Sequence, residues 1–200
     1  EIVLATTDHE SDNKLTSIVR SHGIKVVRGS EENVLNRFCL AAKEIPSKNY
    51  IRITGDCPLV DPKLIDRTID FFENGNFDYV SNSYPPTFPD GMDVEIFNRE
   101  VLFEADLLSN NKFEREHVTP WIRNNNELKK GCLKNIKDLS ESRWTVDEKE
   151  DLELIRTIIS HFKFKNDFSL DDILLFEKNN PEIFLINKKF LRNEGSIINN

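Results

Sequence analysis

The feature that most restricts this chain is an alternation that begins at its first residues. Short apolar runs rich in β-branched residues are followed, again and again, by longer stretches with apolar positions at helical spacing. Residues 2–7 read as a strand, followed by a helix carrying Leu15, Ile18 and Val19 and stopped near Gly23. Residues 24–27 read as the next strand, after which Ser30 is placed to cap a helix with Val34, Leu35, Phe38, Ala41, Ala42 and Ile45 on one face. A third strand covers 50–54. Pro62 then fits the first turn of a helix presenting Leu64, Ile65, Thr68, Ile69 and Phe72, and 77–81 is a fourth strand. Such βαβ units predict an α/β chain, a three-layer α/β/α sandwich on a mainly parallel sheet with right-handed crossovers. Ligands in such sheets bind beyond the carboxyl ends of the strands.

After Asn82 the pattern changes. Residues 83–91 form a stiff loop with three prolines, and strands are expected at 93–97, 132–136 and 144–146, with helical spacing over 101–108 and 116–123. Asp147 precedes a helix whose Leu152, Ile155, Ile158, Ile159 and Phe162 share a face, and a short helix is expected over 170–176. No Gly/Ser-rich or Pro-rich stretch splits the middle of the chain. One domain is therefore expected over 1–186, with the Asn-rich stretch 187–200 as a polar tail or linker.

Charge narrows the partners. The formal net charge is -8 over 200 residues, so no global positive field is available for nucleic acid or an anionic membrane. An acidic protein that handles a polyanionic nucleotide needs a local remedy, and divalent metal is the usual one. Cys39, Cys57 and Cys132 lie far apart with no C-x-x-C pair, which suggests neither disulfides nor a thiolate zinc site and fits a reducing cytoplasm. No apolar run approaches the roughly 20 residues that span a bilayer.

The sharpest local feature is Ile51-Arg52-Ile53-Thr54-Gly55-Asp56-Cys57-Pro58-Leu59. A strand ending on Gly55 delivers Asp56 at the carboxyl edge, where a carboxylate can hold a metal bound to phosphates; the same sequence is also a favourable turn in which the aspartate bonds its own backbone. Asp147 follows a short strand and can reach the same edge. With Glu150 three residues on, it also reads as a helix cap with a capping-box partner. His117 reads as a partly exposed histidine at a helix start or as a site residue. Arg28 and Arg37 flank a helix start near the inferred edge and are candidates for contact with a nucleotide. Serine-hydrolase, zincin, dinucleotide-binding and Walker-loop signatures are absent from the sequence.

Five segments, Arg28 to Leu35, Arg52 to Leu59, Asp90-Gly91-Met92-Asp93-Val94-Glu95, Arg115-Glu116-His117-Val118-Thr119-Pro120 and Thr145-Val146-Asp147, together resemble the spore coat polysaccharide biosynthesis protein F family. That family is akin to the cytidylyltransferases that make CMP-activated acidic sugars. The resemblance implies a nucleotide-diphospho-sugar transferase fold and transfer of a nucleotidyl group from CTP, or another nucleoside triphosphate, to a sugar or sugar acid. It implies Mg²⁺ on Asp56 and Asp147 and sugar contacts from Asp90, Asp93, Arg115, Glu116 and His117; Arg28, Arg37, Arg52, Thr54 and Gly55 are expected on the nucleotide side. A homodimer and a further fused domain are compatible with it. The family's triphosphate loop, similar to R-x-G-S-x-R-L-P-G-K, does not occur in this sequence, so the chain by itself is expected not to complete the reaction. Two alternatives stand beside this reading: glycosyl transfer from a nucleotide sugar, and a non-catalytic domain of the same fold.

Overall fold

The computed structural model describes residues 1–165 and 167–192. The chain falls into two compact units, the first made of residues 1–51, 76–79 and 96–130 and the second of 52–75, 80–95 and 131 onward. Strands β3 (Asn49–Arg52), β4 (Tyr79–Ser81), β5 (Glu95–Asn98) and β6 (Lys130–Cys132) carry the chain from one unit into the other and hydrogen-bond in the order β3-β5-β4-β6. Among the described residues no helix is long and apolar enough to cross a membrane.

In the first unit, β1 (Val3–Thr7) and β2 (Lys25–Gly29) pair in parallel, with Val3 opposite Lys25 and Thr7 opposite Gly29, and α1 (Asn13–Ser21) makes the crossover. Helix α2 (Val34–Glu44) is capped by Asn33, whose side chain accepts from the Asn36 amide at 3.1 Å; the expected cap at Ser30 is thereby corrected. Asparagine and serine cap equally well, and Asn33 is the one adjoining the first apolar position. The helix buries Leu35, Cys39 and Ala42 against Phe97, Leu102, Ala105 and Ile122. These contacts set the places of α4 (Arg99–Leu108), α5 (Lys112–His117) and α6 (Pro120–Asn124). The helical stretch expected over 116–123 is broken at Val118, which is buried at a φ of +70°. Pro120 has no amide hydrogen and can only begin a helix, so the chain must leave α5 before it.

Asp12 ties the loop after β1. Its Oδ2 accepts from the Thr6 hydroxyl at 2.6 Å, the Thr7 hydroxyl at 2.7 Å and the Thr7 amide at 3.1 Å. These bonds, led by those from Thr6 and Thr7, hold its carboxyl down at about 2. A depressed carboxyl stabilises the fold above its unfolded value and loses that contribution as pH falls through the folded one. Acid unfolding followed by circular dichroism should therefore show a component between about pH 4 and 2 that is absent in Asp12→Asn.

In the second unit, α3 (Pro62–Gly75), α7 (Lys149–His161) and α8 (Leu170–Asn179) enclose a core of Leu64, Phe88, Met92, Trp144, Leu154, Ile158 and Ile173. Buried Asp61 caps two of them at once, accepting from the Lys63 amide at 2.8 Å and the Leu170 amide at 2.9 Å. Strand β6 ends at Cys132 and Ile136 is fully exposed, shorter than the expected 132–136. Residues 144–146 are not a strand, because their amides bond loop carbonyls: Trp144 N to Asp90 O at 2.7 Å and Val146 N to Asp56 O at 2.9 Å. Of the stretch read as a polar tail, residues 187–192 pack on this unit, with Asn187 only 2% exposed; 193–200 lie outside the described residues.

Candidate functional site

The acids of the second unit collect where three loops meet. In the turn after β3, the Cys57 amide donates to Thr54 O at 3.1 Å and the Thr54 hydroxyl lies 3.3 Å from Cys57 Sγ. A Cβ on Gly55 would meet nothing within 4 Å, so the space over this turn is open. The main-chain oxygen of Asp56 accepts from Val146 N at 2.9 Å and from the Thr145 hydroxyl at 3.2 Å. Its carboxylate makes no bond to its own backbone; among the described residues its contact is Cys57 Sγ at 3.7 Å. The sequence forms the turn, and the acid on it is left uncommitted.

Asp147 is not the cap of α7. Glu148 is, with Asp151 as its capping-box partner, which corrects the pairing of Asp147 with Glu150 read from the sequence. Asp147 stands outside the helix, its side chain 54% exposed, with Oδ2 accepting from Arg143 Nη2 at 2.9 Å. Arg143, whose side chain is 9% exposed, also donates to Asp90 Oδ2 at 3.1 Å and twice to Asp151, from Nε at 3.0 Å and Nη2 at 2.8 Å. Burial opposes ionisation of Asp151, but the bonds from Arg143, Asn187 and the amides of Glu148 and Asp147 outweigh it and hold its carboxyl below the usual range.

Asp90 and Asp93 lie on the third loop. Gly91 between them sits at a φ of +93°, which glycine alone adopts without strain, and its Cα approaches the Trp144–Thr145 peptide. Arg192 reaches Asp93, Asp90 Oδ1 at 3.6 Å and Phe88 O at 3.0 Å. Burial pushes the Asp93 carboxyl up to about 6 against the pull of Arg192, and burial likewise raises Asp90, which also feels the charges of Asp147 and Asp56. Arg52, expected on the nucleotide side, donates to Glu95 Oε2 at 2.6 Å in this unit. The structure thus brings Asp56, Asp90, Asp93 and Asp147 together with Thr54 and Gly55. It adds Arg143, Asp151, Asn187 and Arg192, which the sequence reading missed; the only local signal was the spacing of four between Arg143 and Asp147.

The other expected site residues belong to the first unit. Arg28 donates to Thr7 O at 2.8 Å, His9 O at 2.6 Å and Asn13 Oδ1 at 2.8 Å. Arg37 is 9% exposed with its stem against Gly29, and burial lowers its guanidinium despite Asp12, Glu31 and Asp8 nearby. Arg115 holds Asp106 at 2.6 Å and Ser109 O at 2.9 Å, Glu116 is exposed, and His117 packs edge-on against Phe113 with ring centroids 4.5 Å apart.

Carboxylates exceed cations in the second-unit cluster, and such an excess suits a divalent cation. Among the described residues no group of three histidines, cysteines or acids is arranged to hold a metal. Two acids are enough for Mg²⁺, which keeps its waters and takes further oxygens from substrate phosphates. Asp56 and Asp147 have the oxygens to spare, so these residues fit that ion.

Ligands of α/β sheets bind at loops beyond the carboxyl ends of the strands, and Asp56 stands on such a loop, after β3. The chain belongs to the cytidylyltransferase family, whose profile matches residues 1–190. It is 36% identical over 190 residues to an uncharacterised protein of Methanocaldococcus jannaschii, covering 94% of this chain and 76% of that one. It is 31% identical over 187 residues to the spore coat polysaccharide biosynthesis protein of Bacillus subtilis, covering 90% and 76%. A solved cytidylyltransferase from Leptospira borgpetersenii superposes with a TM-score of 0.86 at 34% identity, over 96% of this chain and 79% of that one. The fold is accordingly the nucleotide-diphospho-sugar transferase fold, with helices on a parallel-dominated sheet.

Proposed function

We propose that this chain, together with a segment that binds the triphosphate, transfers a cytidylyl group from CTP to a hydroxyl of a sugar or sugar acid destined for a surface glycan, and that Asp56 and Asp147 hold the Mg²⁺ of the reaction. One observation carries the reading: Asp56 O accepts from Val146 N and the Thr145 hydroxyl, which joins two acids distant in sequence while leaving their carboxylates free of the backbone. The hydroxyl attacks the α-phosphorus in line, the bond to the β-phosphate breaks, and pyrophosphate leaves with the hydroxyl proton released. Bound Mg²⁺ supplies charge neutralisation on the phosphate oxygens. The open space over Gly55 would admit the nucleotide close to the backbone, and Asp90 and Asp93, held by Arg143 and Arg192, are assigned to the sugar side. The part of this chain in catalysis is then mainly positioning.

Pyrophosphate release from CTP, Mg²⁺ and a panel of sugars and sugar acids tests the proposal. Asp56→Asn and Asp147→Asn should each keep the wild-type melting behaviour and lower turnover about 100-fold or more, the several kcal/mol that a metal contributes at phosphorus. Full turnover in Asp56→Asn refutes the assignment, and release of free nucleotide from a nucleotide sugar would point to glycosyl transfer instead.

A further inference from the structure

We propose that Arg143 is a positioning residue that fixes Asp147 so that a single oxygen, Oδ1, is presented to the metal. The inference rests on the metal reading above and deepens it.

Asp147 has every reason to be mobile: its side chain is 54% exposed and it precedes α7. Its amide is committed to Asp151 Oδ2 at 3.1 Å, so the backbone is fixed, but among the described residues the carboxylate is held by Arg143 alone, at Oδ2. Arg143, by contrast, cannot turn. Asp151, with 0% exposure, takes its Nε and Nη2 as a fork; Asp90 takes Nη1; and the ring of Phe190 lies 5.8 Å from the guanidinium carbon. Asn187, itself buried, donates to Asp151 Oδ1 at 2.8 Å and to Arg143 O at 3.1 Å, which fixes the partner as well as the arginine. One guanidinium is thus locked on two acids in order to hold a third that is exposed. A lysine could carry the charge but not this geometry, since a single ammonium cannot replace a planar fork. With Oδ2 engaged, Asp147 binds a metal through one oxygen, as an ion that retains its waters requires.

The test measures binding of Mn²⁺ in the presence of CTP and without acceptor, by electron paramagnetic resonance, on the folded protein. Wild type should bind and Asp147→Asn should bind much more weakly; equal binding by the two would overturn the metal assignment and this inference with it. Given that difference, Arg143→Lys and Arg143→Gln should weaken Mn²⁺ about tenfold to 100-fold and raise the Mg²⁺ needed for half-maximal turnover in proportion. Arg192→Gln, which removes contacts to Asp90 and Asp93 but none to Asp147, should leave Mn²⁺ affinity within about twofold. Wild-type affinity in Arg143→Lys, or an equal loss in Arg192→Gln, overturns the positioning role while leaving the metal assignment standing. Should the Arg143 variants not fold, the Nε–H resonance of Arg143 in wild type should move when Mg²⁺ and CTP are added and stay in place in Asp147→Asn. An unmoved resonance overturns the proposal.

Discussion

Replacing Gly91 by alanine should lower stability by about 3 kcal/mol or more and bring the melting temperature down by roughly 6–12 °C. Two costs add at this position. The φ of +93° is one that side chains rarely adopt, and the new Cβ would stand 2.6 Å from the carbonyl carbon and oxygen of Trp144 and from the amide of Thr145. All three are backbone atoms of the segment whose amides bond Asp90 O and Asp56 O, so no side chain can swing away to relieve the clash. Relief requires the Trp144–Val146 link to shift, which would disturb the placement of Asp147 as well as the core around Trp144. Calorimetry on the variant decides the matter, and a melting temperature within about 2 °C of wild type would show that the close approach is not a constraint.

Asp151→Ala should cost about 3–5 kcal/mol, the amount expected when one member of a buried ion pair is removed. Asp151 has 0% exposure and accepts from Arg143 Nε and Nη2, Asn187 Nδ2 at 2.8 Å, Glu148 N at 2.9 Å and Asp147 N at 3.1 Å. Alanine leaves a buried guanidinium half satisfied and removes the capping-box partner that accepts from the Glu148 amide in the same step. The pH dependence has a definite sign. Because the folded carboxyl is held below its ordinary value, its contribution is complete above about pH 4 and is lost as pH falls further. The difference between wild type and Asp151→Ala, measured by denaturant unfolding, should shrink on acidification from pH 7 to 3. A difference that stays constant or grows would exclude ionised Asp151 as the source of the stabilisation.

The first of these effects falls on a loop and the second on the first turn of α7, where it meets the loop that carries Asp147, and these junctions are where the sequence was least explicit. The apolar faces of α2 and α3 and the early strands were legible because periodicities of 3.6 and 2 are local properties. The turn that delivers Asp56 was legible for the same reason: strand, glycine and aspartate are neighbours in the chain. Where two local solutions were equally good, tertiary contacts chose between them. Asn33 rather than Ser30 caps α2, and Glu148 rather than Asp147 caps α7, in each case because the capping residue adjoins the first turn that packs on the core.

Sequence alone therefore determined the α/β order of elements, an acidic balance that leaves no global positive field, and Asp56 as an acid in the turn after a strand. Only the tertiary structure decided what Asp147 is. Its freedom from the helix, its pairing with Arg143 and its nearness to the Asp56 turn depend on the Asp56 O to Val146 N bond and on the fork from Arg143 to Asp151. The first links residues far apart in the chain, and the second is selected by burial, which makes an unpaired charge costly and so fixes which acids must share one guanidinium.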